Sequence, residues 1–315
     1  MDISVIIPLL NESDSLIELH SSIRKVMTSK SFTYEVIFID DGSSDNSWDI
    51  INQLSEKDEF VKGIRFLKNY GKSQALHIGF LKAKGNVVFT MDADLQDDPE
   101  EIPELYHMII NEKYDLVSGW KKKRYDSVLF KNIPSKIFNF AARLTSGIKL
   151  NDFNCGLKAY NAEVVKNIEV YGEMHRYIPV LAKNEGFNKI GQKIVKHRAR
   201  KYGKTKFGPS RFIHGFLDLI TIWFISKFGK KPMHLFGRIG FIMLIIGFLF
   251  AAYLGYDKLF INPDARLITE RPEFYISLAT MIIGSQFFAM GFIGELILRY
   301  NKTKIHYRVR QEINL

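Results

Sequence analysis

A single cysteine, Cys155, stands in a chain of 315 residues. One thiol cannot form an internal disulfide, so the fold must rest on a hydrophobic core and not on covalent staples. That cysteine count fits a reducing compartment. No charged-then-apolar leader precedes Ile3, which predicts that the N-terminal region stays on the cytoplasmic side. Internal repeats and low-complexity segments are also missing. What is present is a globular composition, 46% hydrophobic and 25% charged, with enough apolar residues for a sizeable core. The formal net charge of +10 calls for an anionic partner, either nucleic acid or a membrane surface. A mean hydropathy of −0.07 reads as a soluble protein, but the average conceals a strong asymmetry along the chain.

The hydrophobicity is concentrated near the C-terminus. Residues 239–256 and 274–294 form two uncharged runs, each long enough to cross a hydrocarbon core of about 30 Å as a helix. Basic residues flank both outer ends, among them Lys230, Lys231, Arg238, Arg299 and Lys302, whereas the loop 257–273 holds three basic residues against four acidic ones. The flanking charge predicts cytoplasmic termini and an outward loop. A third apolar stretch, 207–230, is interrupted by His214 and Asp218 and reads as amphipathic helices lying in the interface. A third span there would carry the basic C-terminal cluster outward. The expected organisation is a catalytic domain over 1–206, juxtamembrane helices over 207–232, and a two-helix membrane region over 233–315 with spans at about 237–256 and 274–298. Glycines in both spans offer a surface for lateral association with a second copy.

The first two hundred residues differ in kind. The short, nearly continuous apolar runs 3–7, 34–39, 61–67 and 86–91 alternate with helical spacing over 12–27, 45–56, 72–84 and 100–111. This predicts an α/β fold with a mostly parallel sheet covered on both faces. Ligands in such sheets bind beyond the carboxyl ends of the strands, and the polar motifs fall there. Asp92-Ala93-Asp94-Leu95-Gln96 directly follows the fourth strand. Two carboxylates one residue apart, with Gln96 as a neutral oxygen, suit Mg²⁺ or Mn²⁺ and leave positions open for phosphate. The bland alternative is an acidic turn capping the next helix, a task that fits Asp97 and Asp98. Asn11 and Glu12 after strand one, and Asp40 to Asp45 after strand two, divide in the same way between ligand binding and capping.

The segments VIIPLLNE, VIFIDDGSSDNS, NYGKSQALHIGF and MDADLQDDPEEIPEL together resemble family 2 glycosyltransferases with the GT-A nucleotide-sugar fold. More narrowly the chain is similar to the polyprenyl-phosphate sugar synthases, and DFNCGLKAY, GEMHRYIPVLAKNEGF and RKYGKTKFGPSRF extend the likeness over nearly the whole length. Leu10 departs from the tyrosine common there. The resemblance implies that Pro8, Asn11, Glu12, Asp40 (or Asp41) and Asp92 hold the nucleotide. Asp92, Asp94 and Gln96 would hold Mg²⁺ or Mn²⁺, and Asp94 and Asp152 would be the catalytic pair. Arg198 and Lys204 belong to a basic segment placed over the donor. Lys122, Lys131, Ser135 and Arg176 correspond to contacts with the acceptor phosphate. His175 reads as a structural partner, with no second histidine at ligand spacing.

The implied activity is metal-dependent, inverting transfer of a sugar from a nucleotide donor to a polyprenyl phosphate at the cytoplasmic face of the inner (plasma) membrane. UDP-glucose is the favoured donor and GDP-mannose the next. A lipid phosphate is largely dianionic at neutral pH and needs no strong base, so Asp152 is expected to orient rather than deprotonate, unless it only closes a turn. A processive polysaccharide synthase is disfavoured because the Gln-x-x-Arg-Trp signature is missing. Intact Asp92, Asp94 and Asp152 stand against a non-catalytic membrane adaptor. Nucleic-acid binding is weaker still, since the basic clusters crowd the membrane-proximal segments.

Overall fold

The computed structural model describes residues 1–122, 139–140, 142–143, 146–172, 174–198, 201, 224, 228, 231–264, 266–300 and 309–314. Two compact units divide the chain: residues 1–223 with 306–315, and residues 224–305.

The first unit is built on one eight-stranded sheet. In chain order its elements are β1 (Ile3–Leu9), α1 (Ser13–Ser29), β2 (Tyr34–Asp40), α2 (Ser47–Lys57), β3 (Val61–Phe66), α3 (Lys72–Lys82), β4 (Val87–Thr90), α4 (Ile102–Ile110), β5 (Leu116–Trp120), β6 (Lys158–Asn161), α5 (Ala162–Asn167), α6 (Ile178–Asn184), β7 (Ile190–Ile194) and β8 (Val309–Ile313). The strand order is β7-β5-β6-β4-β1-β2-β3-β8. Every residue of β1, β2 and β4 is buried, as strands covered by helices on both faces require. On α1, Leu16, Leu19, Ile23 and Met27 repeat at helical spacing and form the stripe that seals one face.

Strands β3, β2, β1 and β4 run parallel, as expected from the alternating pattern. The rest of the sheet is mixed. β6 lies antiparallel between β4 and β5, and β8 pairs antiparallel with the outer edge of β3. The chain runs outward from β1 through β2 and β3, then returns to place β4 on the other side of β1. That reversal opens a crevice at the carboxyl ends of β1 and β4, the usual ligand position in open α/β sheets.

The second unit is a helical pair, α7 (Met233–Tyr256) and α8 (Pro272–Tyr300). Both helices are long and apolar enough to cross a membrane. Phe241, Ile246, Phe248 and Leu249 lie exposed on α7, so the pair is not a buried core of the kind that also produces long apolar runs. At the connecting turn Arg271 pairs with Asp257 at 2.7 Å.

Glycines of both helices are used inside this pair, at the seam between α7 and α8. A Cβ on Gly240 would fall 2.5 Å from the Gly284 carbonyl oxygen, and one on Gly284 2.9 Å from the Gly240 oxygen. Ser277 Oγ donates across the same seam to the Gly247 carbonyl at 2.6 Å. Gly240→Leu should therefore cost about 1–3 kcal/mol through overpacking against backbone that has no rotamer to yield. Limited proteolysis in mild detergent should show earlier cutting of that variant. Gly255→Leu, where an added Cβ meets nothing within 4 Å, should match the parent.

Candidate active site

The loops after β1 and β2 are stitched to each other. Asn11 N–H donates to Ser43 Oγ at 2.8 Å, and Asn11 Oδ1 accepts from Ser44 N–H at 2.8 Å. Glu12 N–H reaches Ser47 Oγ at 3.1 Å, while Asp45 takes the N–H groups of both Ser13 and Ser47. The capping reading therefore holds for Asp45, which serves two helices at once.

The aspartate doublet separates into two tasks. Asp40 is completely buried; it accepts from Ser43 N–H at 2.8 Å and faces Arg65 Nε at 3.4 Å. Those partners make it a brace for its own loop. Asp41 accepts the backbone N–H groups of Tyr70 at 2.7 Å and Gly71 at 2.9 Å, fixing the turn that leads into α3. Gly42 makes the close approach possible: φ is +75°, and a Cβ would lie 2.5 Å from the Lys68 carbonyl carbon.

Burial pushes the Asp41 carboxyl up to about 6, against the pull of its two amide donors and with Asp40 adding to the rise. A folded-state pKa above the unfolded value favours the neutral form. Its stabilisation is complete below the unfolded pKa of roughly 3.9 and is lost as pH rises through about 6. The difference in thermal midpoint between the parent and Asp41→Asn should thus fall as pH is raised from about 4 to about 7. A difference that stays flat over that range would refute the assignment.

Lys72 is the first residue of α3 and delivers its ammonium onto Asp92 Oδ1. Burial alone would raise Asp92, yet Lys72 and then Lys121 outweigh it and hold the carboxylate down at about 2. Asp94 is buried, and its Oδ1 accepts from Gln96 N–H at 3.2 Å. Between them Leu95 sits at φ +60°, a left-handed backbone that a branched side chain rarely adopts. Such strain persists where the surroundings enforce it, and it clusters at functional loops.

The next two acids follow the capping alternative in part. Asp98 Oδ1 caps the turn before α4 through Glu100 N–H, while Asp97 is buried against Lys121 at 2.7 Å. Arg198 donates to Asp98 at 2.9 Å, and its own N–H reaches the Gln96 carbonyl at 3.0 Å. The basic segment thus begins alongside the metal-type loop. Lys122 is exposed, its ammonium 6.0 Å above the Trp120 ring. Lys131, Ser135 and Lys204 lie outside the described residues.

A cavity of about 170 Å³ opens beside Asp92. Pro8 of β1, Met91 after β4, Lys72 of α3, Gly156 and Lys158 before and in β6, and Arg176 ahead of α6 all border it. Gly156 packs closely at this wall, where an added Cβ would fall 2.5 Å from an Asp92 carboxylate oxygen and force that side chain to move. Thr90 Oγ1 secures it by donating to its carbonyl at 2.8 Å. Asp152 is buried just before this wall, its Oδ1 accepting from Asn154 N–H at 3.0 Å, the turn-closing arrangement that the sequence left open. The Cys155 thiol is pushed up by burial to about 12 and is inert at neutral pH.

Lys72 and Lys158 were not singled out from the sequence. Gly71-Lys72 does follow a strand end, as the Asp92 loop does, and that position was the available signal. The donor set at the loop fits a divalent metal of the Mg²⁺ or Mn²⁺ type: hard oxygens from Asp94, Gln96 and an ionised Asp92, fewer than a closed cage needs. Among the described residues no three His, Cys, Asp or Glu side chains converge on one point. Mg²⁺ is commonly held by one or two carboxylates, with substrate phosphates completing the shell.

Residues 4–169 match the family described as Glycosyl transferase family 2. The chain belongs to that family. A dodecaprenyl-phosphate galacturonate synthase from Rhizobium johnstonii is 32% identical over 318 residues, covering 99% of this chain and 93% of the relative. An undecaprenyl-phosphate 4-deoxy-4-formamido-L-arabinose transferase from Shewanella sediminis is 36% identical over 299 residues, covering 94% and 87%. Among solved structures, glucosyl-3-phosphoglycerate synthase from Mycobacterium tuberculosis in complex with UDP superposes with a TM-score of 0.55 at 19% identity, covering 71% of this chain and 79% of that one. The last likeness concerns the fold alone. Together they make the protein a glycosyltransferase of family 2, and the expected family membership and α/β fold both hold.

Proposed function

We propose that this chain transfers a sugar from a nucleotide donor to a polyprenyl phosphate at a membrane surface, with Mg²⁺ or Mn²⁺ required. The observation that carries the reading is a cavity at the β1/β4 reversal with Asp92, the first residue of the Asp92–Gln96 loop, in its wall, in a chain that also holds two membrane-length helices. Asp94 and Gln96, with Asp92, would hold the metal, which neutralises charge on the departing diphosphate. An acceptor phosphate oxygen forms the new bond to the anomeric carbon as the bond to the diphosphate oxygen breaks. The nucleoside diphosphate leaves with the electron pair, and the configuration inverts. No proton has to be removed, because the acceptor is already ionised. Asp152 then orders the 152–156 wall instead of acting as a base.

The curated relatives are named for galacturonate and for an aminoarabinose derivative. Their names lend no support to UDP-glucose or GDP-mannose, and the donor proposed here is a nucleotide-linked modified sugar. The terminal strand supports the topology. β8 follows α8 in sequence yet pairs with β3 in the same sheet as β1. A strand and its sheet share one side of a membrane, so the intervening chain must cross an even number of times. That favours two spans with both ends on the catalytic side over a third span through 207–230. The inner membrane is the setting this implies.

The test uses the detergent-purified chain, undecaprenyl phosphate, Mn²⁺ and a panel of radiolabelled nucleotide sugars. Label should enter the organic phase from one donor class and stop on chelation. Nucleotide binding with no transfer from any donor would count against the lipid acceptor.

A further inference from the structure

Residues 70–73, where α3 begins, tie together three segments that are far apart in sequence. The N–H groups of Tyr70 and Gly71 are held by Asp41 of the loop after β2, and Lys72 engages Asp92 after β4. Ser73 takes hold of the third segment, the turn Met174–Tyr177, whose His175 and Arg176 line the cavity. Ser73 is completely buried and meets His175 twice. Its Oγ accepts the His175 main-chain N–H at 3.0 Å and lies 3.2 Å from the ring Nδ1.

These two contacts settle where the imidazole proton sits. A serine hydroxyl has one hydrogen to give. Its oxygen already accepts from the His175 N–H, and among the described residues its hydrogen has no acceptor other than Nδ1. Nδ1 therefore accepts, the ring proton is on Nε2, and the imidazole is neutral. The surroundings agree. Ser73 is the second residue of α3, so the ring meets the positive end of that helix. Burial, then Lys72, Arg176 and Lys158, outweigh Asp92 and hold the His175 pKa well below the usual imidazole value.

We propose that Ser73 is a positioning residue for sugar transfer: its hydroxyl locks the His175 ring in the Nε2–H form and holds the 174–177 turn in register with the Lys72–Asp92 pair. The inference rests on the transferase reading above. Lys72 and Ser73 are neighbours on one helix, so the start of α3 sets the spacing between the Asp92 wall and the turn. That helix is closed at its other end by Lys166, whose Nζ donates to the carbonyls of Phe80, Leu81 and Ala83 at 2.8 Å each. Spacing matters because a misplacement of about 1 Å in a reacting group costs about 10²-fold in rate.

The experiment uses the full chain in detergent with ¹⁵N-labelled histidine, beside the variants Ser73→Ala and Lys166→Met. The His175 ring signals are those lost in His175→Gln. Expected in the parent is a single tautomer, Nδ1 bare and Nε2 protonated, and in Ser73→Ala a mixture of both neutral forms. In the transfer assay, Ser73→Ala should lower kcat/KM per folded molecule about tenfold or more, with the Mn²⁺ dependence unchanged. Lys166→Met loosens α3 at the end away from the cavity, so it should lower the thermal midpoint and keep the parent kcat/KM. A protonated Nδ1 in the parent, or an unaltered tautomer in Ser73→Ala, overturns the proposal. So does a parent-like kcat/KM in Ser73→Ala, which leaves the contact purely structural. An equal fall in Ser73→Ala and Lys166→Met also overturns it, since helix stability alone would then set the rate. A tautomer locked by Ser73 in a chain that transfers no sugar would sustain the lock and sink the transferase reading, so the two fail separately.

Discussion

Asp94→Asn should lower sugar transfer by about 10³-fold, equivalent to about 4 kcal/mol of transition-state stabilisation, with a nearly unchanged thermal midpoint. The size follows from where the charge goes. On the reading proposed above, a diphosphate leaving group gains negative charge as the anomeric bond breaks, and a metal held at this loop would balance it. Asp92 alone cannot make up the loss, because Lys72 already engages its Oδ1 and leaves one oxygen for a metal. The fold should tolerate the change, since asparagine keeps the oxygen that accepts from Gln96 N–H and preserves the turn around Leu95. Initial rates at several Mn²⁺ concentrations are the measurement. An activity within tenfold of the parent, with the same Mn²⁺ dependence, would remove Asp94 from the metal site.

The parts of the fold visible in the sequence are those whose signal is local. β1 to β4 and their helices could be read because central parallel strands are apolar throughout and the helices between them repeat at 3.6 residues. β6 escaped that reading. Its four residues begin with Lys158, a charge that marks a loop in sequence but is buried against the site. β8, with Arg310, Gln311 and Glu312 at its centre, carries no strand signature either; only the open edge of β3 makes it a strand. The site divides along the same line. Asp92, Asp94 and Gln96 are adjacent in sequence, and chemistry alone marks them. Lys72, Lys158 and Arg176 converge on one cavity from α3, β6 and the approach to α6, and no spacing rule joins residues so far apart. The Asp40–Asp41 doublet shows the limit most sharply: two identical side chains, one bracing its own loop and one holding the turn before Lys72, told apart only by the amides that face them.

Deleting residues 309–315 should destabilise the first unit by about 3 kcal/mol or more, a fall of roughly 6–12 °C in thermal midpoint for a domain of this size. Three losses add. The Ile313 side chain no longer packs over Gly63, where an added Cβ would stand 3.3 Å from Ile313 Cδ1. Asn314 no longer donates to the Val61 carbonyl at 3.3 Å, and Lys82 loses Glu312 at 3.1 Å. The edge of β3 is also left with unpaired backbone groups, an invitation to pairing with another chain. Scanning fluorimetry with size-exclusion chromatography should therefore show a lower midpoint together with new oligomers, whereas Glu312→Gln alone should move the midpoint little, as exposed ion pairs do. An unchanged midpoint in the deletion would mean that β3 needs no partner. The order of synthesis gives the strand a further consequence. Because α7 and α8 lie between β7 and β8 in the chain, the sheet cannot be completed until both helices have been made. On the two-span topology proposed above, a hairpin whose ends fell on opposite sides would strand β8 away from its sheet, and correct insertion and a closed sheet edge would be one requirement.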